Sequence, residues 1–225
     1  MSHTPSASVD FQLYLITDRK LVAPRPLAEV CEAVLAALAR SPERMGVALQ
    51  LREKDLDGRA LYELAVVLRA ICTRHGARLL VNDRLDVALA ADADGVHLSG
   101  GSFTVADARR LLGPSRLVGV STHSAAEAAA AAATGADFAV FGPVWRPLSK
   151  AAYGPARGGK ELAAACRAAA GMPVFALGGV TAERVVELDA PVGVAVIGAI
   201  LGADDPPAAA RALAAALRAA GLAPR

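Results

Sequence analysis

Val174-Phe175-Ala176-Leu177 is a short apolar run stopped by Gly178-Gly179, and Val194-Ala195-Val196-Ile197 is a second such run stopped by Gly198. Between them, Thr181 to Leu188 has helical character. Continuous apolar runs of this length, closed by glycine, suit strands buried on both faces of a parallel sheet. Two of them separated by a helix match the last strand–helix–strand unit of a (β/α)8 barrel. In that architecture the loops after strands seven and eight commonly bind phosphate through backbone N–H groups. Taken alone, the same glycines are equally well explained as tight turns.

The alternation extends backwards through the chain. Phe11–Thr17, Met45–Leu51, Arg78–Val81, Gly95–Leu98, Leu117–Val120 and Phe138–Phe141 read as earlier strands. Pro26 opens a helix with apolar residues at Leu27, Val30, Val34, Leu35 and Leu38. Asp57, Thr104 and Ser124 are placed to cap later helices, with Glu127 completing a capping box. Gly76 ends the helix that Asp57 begins, and His75 beside it suits the negative helix end. A last helix runs from Pro206 to Ala219. Strict alternation points to an α/β fold with parallel strands. Eight repeats within roughly 200 residues point to a single (β/α)8 TIM barrel, here residues 11–225. The small polar residues 1–10 read as a disordered N-terminal tail.

The 225 residues carry 20% charged side chains and a net charge of +2, which gives no sign of a nucleic-acid surface. No apolar run approaches the roughly 20 residues of a membrane span, and the start has no secretory pattern. Cys31, Cys72 and Cys166 lack metal spacing and read as small apolar residues in a reduced compartment. A cytoplasmic enzyme of small molecules, without nucleic-acid or membrane partners, is the expectation; a homo-oligomer is compatible with it.

Polar residues cluster where strands end: Asp18-Arg19, Arg52 and Lys54, Asn82-Asp83, His97 to Ser102, Ser121-Thr122-His123, and Ser149-Lys150 in the long loop after strand six. In a barrel these ends share one pocket. Cations and neutral donors dominate, which suits a phosphorylated small molecule. Asp83 is the natural Mg²⁺ ligand, because Mg²⁺ at phosphate sites takes one or two carboxylates and the phosphates themselves. His97, inside a short buried strand, reads as structural. Trp145 either stacks on a ligand or covers the barrel mouth.

Gln50-Leu51-Arg52-Glu53-Lys54, Asn82-Asp83-Arg84, Gly95-Val96-His97-Leu98, Gly119-Val120-Ser121-Thr122-His123-Ser124, Gly142-Pro143-Val144 with Ser149-Lys150, and Ala176-Leu177-Gly178-Gly179-Val180 follow one another in the order found in thiamin phosphate synthases. The chain resembles that family, and the related TenI-type thiazole tautomerases, from about Tyr14 to the last helix. The resemblance implies an enzyme of thiamin biosynthesis. It would couple hydroxymethylpyrimidine diphosphate to hydroxyethylthiazole phosphate, releasing pyrophosphate with Mg²⁺ as cofactor. It further implies that Gln50, Arg52, Lys54, Asn82 and Lys150 hold the pyrimidine diphosphate, with Asp83 on the metal. Ser149, Gly178, Gly179, Ile197 and Gly198 would hold the thiazole phosphate. His123, Ser121 and Lys150 are the catalytic candidates.

The chain departs from the synthase pattern in three places. Ser102 stands where the synthases carry the second metal-binding Asp, Pro147 precedes Leu148-Ser149-Lys150 where they carry a threonine, and Gly198 replaces a serine. Gly101-Ser102-Phe103 is closer to the tautomerase branch, which aromatises a carboxythiazole phosphate by proton transfer; His123 would then be its acid/base. A synthase, a tautomerase and a non-catalytic phosphate-ligand-binding regulator are therefore the three readings.

Overall fold

The computed structural model describes residues 8–42, 45–146, 155–188 and 193–222. Among these residues, eight parallel strands pair in sequence order and close into a barrel. They are β1 (Leu13–Ile16), β2 (Val47–Leu51), β3 (Arg78–Asn82), β4 (Gly95–Leu98), β5 (Leu117–Thr122), β6 (Phe138–Phe141), β7 (Val174–Leu177) and β8 (Gly193–Val196). Closure is made by β8 returning to β1, with Leu13 opposite Val194 and Leu15 opposite Val196.

The helices that cover the barrel are α1 (Arg19–Val22), α2 (Leu27–Ala39), α3 (Gly58–His75), α4 (Leu85–Ala90) and α5 (Val105–Leu112). They continue with α6 (Ala125–Ala133), α7 (Gly158–Ala168), α8 (Gly198–Leu201) and α9 (Pro206–Ala219). Their starts follow local chemistry. Asp57 accepts from the Ala60 amide, Thr104 from Asp107 and Ser124 from Glu127, satisfying amides that have no partner inside the helix. The Glu127 carboxylate reaches back to the amide of His123 at 2.7 Å, one residue earlier than in a standard capping box. Gly76 ends α3 with φ +67°, and His75 just before it bonds Glu32 on α2. No helix among the described residues is long and apolar enough to cross a membrane.

Side chains alternate in every strand. On β1, Leu13 and Leu15 face the helices, while Tyr14 and Ile16 face the barrel interior. The lower interior is filled by Phe11, Tyr14, Phe138 and Phe175, whose rings meet at 5.1–6.1 Å between centroids, mostly edge to face. Glycines on neighbouring strands make the room. A Cβ at Gly119 would lie 2.2 Å from the Phe138 ring, and one at Gly193 would lie 2.3 Å from Phe175. At the same end Asp94 accepts from the Leu79 amide and pairs with Arg69 and Arg78, and Arg78 also grips Asp10. Of the stretch 1–10 expected as a tail, residues 1–7 lie outside the described residues, while Val9 packs on the aromatic layer.

Three local expectations need correction. Thr181–Leu188 is not a helix: it holds one 3₁₀ turn, Val185–Glu187, in which Val185 is buried and Val186 is 70% exposed. Its two buried residues, Val185 and Leu188, lie three apart, the spacing of a single 3₁₀ turn. Strands β1 and β2 begin two residues later than their apolar runs. There the Gly46 Cα is pressed against the Asp10 carbonyl, which a Cβ would meet at 1.8 Å. Finally, α8 follows β8 directly, where the sequence shows only a glycine stop.

The exchange of aromatic volume for glycine is testable. Gly119→Ala is expected to lower stability by about 1–3 kcal/mol through overpacking against Phe138, read from urea unfolding midpoints. Gly159→Ala, whose Cβ would meet open space at the start of α7, should not lower it.

Candidate active site

The last inward position of each strand lines one cavity of about 310 Å³ at the C-terminal mouth of the barrel. Strands β2 to β5 contribute Gln50, Asn82, His97 and Ser121 in sequence. Strands β6, β7, β8 and β1 contribute Val140, Leu177, Ala195 and Ile16. Half of the floor therefore offers hydrogen bonds and half is apolar. The polar groups are neighbours by register: Asn82 lies beside His97, and Ser121 lies beside Val140 where the polarity changes.

Each polar floor residue is fixed from behind. Gln50 is 1% exposed and donates from Nε2 to the Tyr14 hydroxyl at 3.0 Å. Complete burial pushes the Tyr14 phenol far above its ordinary range, so it stays neutral. Asn82 donates from Nδ2 to Asp83 at 2.7 Å. His97 Nε2 lies 3.0 Å from Ser121 Oγ. Burial pushes the His97 imidazole down to about 4, Asp83 opposing and Arg52 reinforcing, so the ring is neutral at physiological pH.

The rim carries charge. Arg52 and Lys54 line the cavity beyond Gln50, and the Arg52 amide is tied to Thr17 Oγ1 at 2.8 Å. Glu53 between them turns away from the cavity toward the start of α1 and is buried. It accepts from the amide of Arg19 at 3.1 Å and from the Arg19 guanidinium at 3.2 Å, which aims its two neighbours at the mouth. Asp83, at φ +58°, stands between the ends of β3 and β4. Its carboxylate accepts from the Ser99 amide at 2.8 Å and the Ser99 hydroxyl at 2.5 Å. Burial raises its pKa, but Ser99, Ser102 and Asn82 outweigh that and hold it below the usual carboxylate range.

Opposite, the backbone takes over. Gly178 (φ +97°) and Gly179 (φ +65°) adopt conformations that disfavour any side chain. A Cβ at Gly178 would sit 2.6 Å from Pro143, and one at Gly179 would sit 2.7 Å from the Trp145 Cβ. Arg184 donates to the Gly179 carbonyl at 3.1 Å and lies over the Trp145 ring at 5.7 Å. Ile197, Gly198 and Ala199 line the same side, where α8 begins. His123 reaches the mouth from the end of β5, its Nδ1 2.6 Å from the Gly142 carbonyl, which makes Nδ1 the donor and leaves Nε2 open.

Gln50, Arg52, Lys54, Asn82, Ser121, His123, Gly178, Gly179, Ile197 and Gly198 thus share one cavity, and Asp83 flanks it through Ser99. Ser149 and Lys150 lie outside the described residues. His97, structural by sequence, is buried as expected but belongs to the cavity floor. Tyr14 is a supporting residue that the sequence leaves unmarked, and only strand alternation brings it beneath Gln50; Ser99 and Glu53 stand in marked strand-end stretches, but their supporting contacts are not legible there.

A closed parallel barrel with a polar cavity at the C-terminal ends of its strands defines the class: a (β/α)8 barrel with its site where such enzymes carry theirs. The chain belongs to the thiamine monophosphate synthase family, whose model matches residues 13–200. It is 51% identical over 213 residues to a putative thiamine-phosphate synthase of Geobacter sulfurreducens, covering 94% of this chain and 96% of that one. It is 42% identical over 205 residues to the thiamine-phosphate synthase of Methanoculleus marisnigri, covering 90% and 93%. The solved thiamine phosphate pyrophosphorylase from Pyrococcus furiosus superposes with a TM-score of 0.77 at 30% identity, over 94% of this chain and 97% of that one.

The buried Tyr14–Gln50 bond gives a direct test. Tyr14→Phe leaves the Gln50 amide unpaired and is expected to cost about 1–3 kcal/mol in chemical denaturation. The Tyr14→Phe/Gln50→Met pair should recover part of that loss, because no buried donor is then left without an acceptor.

Proposed function

We propose that the chain is a cytoplasmic thiamin phosphate synthase, a transferase of the diphosphorylase type. It joins hydroxymethylpyrimidine diphosphate to hydroxyethylthiazole phosphate and releases pyrophosphate. The observation that carries this reading is the divided floor: four adjacent hydrogen-bonding groups, Gln50, Asn82, His97 and Ser121, next to the cations Arg52 and Lys54. A flat heterocycle bearing ring nitrogens and an amino group matches the polar half, and its diphosphate would meet the cations at the rim. The apolar half, bounded by Gly178-Gly179 and Ile197-Gly198, suits the thiazole, with its phosphate on their backbone amides.

The chemistry follows from charge. When the bond from the pyrimidine methylene to the diphosphate oxygen breaks, both electrons leave with the diphosphate and a pyrimidine cation remains. Arg52 and Lys54, fixed before the reaction, stabilise the departing negative charge without reorganisation. The thiazole nitrogen then gives its lone pair to the methylene carbon, forming the new C–N bond. Ser121 holds the pyrimidine end, and Lys150 from the long loop would add a further cation. The apolar wall of Val140, Leu177 and Ile16 keeps water from the cationic carbon.

Asp83 fits Mg²⁺ of one kind. Among the described residues no group of three His, Cys, Asp or Glu side chains could hold a metal. One carboxylate with the hydroxyls of Ser99 and Ser102 fits a cation that arrives with most of its ligands as water and diphosphate oxygens. Bound there, Mg²⁺ would neutralise charge on the leaving group.

A second reading, thiazole tautomerase, draws on Ser102 in place of a carboxylate and on the open Nε2 of His123 at the mouth. The two separate in one assay series. Purified protein with both phosphorylated substrates and Mg²⁺ should form thiamin phosphate. Absence of product, together with aromatisation of a carboxythiazole phosphate that His123→Ala abolishes, would replace the synthase by the tautomerase. Inactivity on both, with thiazole phosphate still bound, would mean a regulator. In the synthase assay Arg52→Ala is expected to lower kcat/KM by about 10²–10³-fold, the scale of removing one preorganised charge. Gly179→Ala should raise KM for the thiazole phosphate at least about 10-fold, equivalent to ~1.4 kcal/mol of lost binding, with little change for the pyrimidine substrate.

A further inference from the structure

His97 is enclosed at the floor of the cavity, 3% exposed, with its ring 5.8 Å from Tyr14 and 6.0 Å from Phe138 between centroids. Its Nε2 meets Ser121 Oγ at 3.0 Å, while its Nδ1 is buried with no hydrogen-bond partner. The neutral ring has two tautomers, and they have opposite consequences for the serine. With the proton on Nδ1, a buried N–H is left without an acceptor, and Nε2 consumes the Ser121 proton. With the proton on Nε2, only a bare lone pair is left at Nδ1. Ser121 Oγ then accepts, and its own O–H remains unused. Orphaned buried N–H groups are rarer in folded proteins than under-used acceptors. No other partner competes for Ser121 Oγ among the described hydrogen bonds. The second arrangement leaves the less costly orphan.

We propose that His97 is a positioning residue that, as the Nε2–H tautomer, turns the Ser121 hydroxyl outward as a donor. Position 121 thereby selects a ligand with an acceptor above it: a ring nitrogen or a phosphate oxygen, not an amino group. The pairing deepens the synthase reading and rests on it for its catalytic consequence, since the pyrimidine and its diphosphate supply such acceptors. It also gives Ser121 a fixed direction, which a serine hydroxyl alone does not have.

Two measurements test this. Nitrogen-15 correlation spectra of the full chain labelled in its histidine rings, with the His97 signals assigned by their loss in His97→Gln, should show a protonated Nε2 and an unprotonated Nδ1 at neutral pH. The reverse tautomer would overturn the proposal whether or not the protein is a synthase. In the synthase assay, Ser121→Ala and His97→Leu should each reduce kcat by about 10–100-fold, and the double variant should fall no further than Ser121→Ala by more than about 3-fold. His97→Gln, which restores an N–H near Nε2, should recover at least part of the loss. Multiplying losses, or equal damage from His97→Gln and His97→Leu, would show that His97 merely fills space. A wild-type chain with no synthase activity would sink the functional reading and leave the tautomer spectrum to decide this one.

Discussion

Closure of eight parallel strands puts every second side chain on a common axis, and the rest of the molecule depends on that constraint. A barrel interior of this width is filled, not hollow, so the chain must decide level by level what occupies it. At the lower level it places four aromatic rings and takes space from glycines on adjacent strands, Gly119 for Phe138 and Gly193 for Phe175. At the upper level it stops filling. Gln50, Asn82, His97 and Ser121 reach the axis with polar ends, and a cavity opens above them. The aromatic plug is thus both core and floor: Tyr14 belongs to the ring cluster by its face and to the site by its hydroxyl.

That arrangement explains how the polar groups tolerate burial. A buried amide or imidazole is costly unless paired, and each has a partner on the neighbouring strand or, for Asn82, in the next residue. Gln50 leans on Tyr14, Asn82 on Asp83, and His97 on Ser121. Because Gln50, Asn82, His97 and Ser121 themselves sit in strands, the groups facing a ligand are fixed before it arrives, as electrostatic stabilisation of a charged transition state requires. Loops provide the complementary function. At Gly178 and Gly179 the backbone itself borders the cavity, because side chains there would collide with Pro143 and Trp145.

Much of this was legible in the chain, for identifiable reasons. Caps at Asp57, Thr104 and Ser124, the glycine stop at Gly76 and the strand–helix alternation are local signals that need no tertiary information. Which residues of a strand face inward is not local here, since strands covered on both sides are apolar on both sides. Gln50, Asn82 and Ser121 therefore read as residues near strand ends, although they belong to β2, β3 and β5 as the last inward position of each. The same ambiguity made His97 look like an ordinary core residue. Thr181–Leu188 misled differently: of its adjacent valines Val185 is buried and Val186 exposed, and Val185 and Leu188 reach the core through one 3₁₀ turn.

Asp83 shows how a strained residue at the mouth of the barrel is held in place. Its left-handed backbone is uncommon for a side chain other than glycine, though aspartate tolerates it better than most, and such strain persists only where neighbours over-determine it. Here the Ser99 amide, the Ser99 hydroxyl and the Asn82 amide all donate to the carboxylate, and Ser102 adds a hydroxyl that lowers its pKa. An ionised carboxylate accepts at about four positions, so these donors saturate it. The Ser102 hydroxyl thus adds to the Ser99 and Asn82 donors, and the loop between β4 and α5 is held to the end of β3 by hydrogen bonds that converge on one carboxylate.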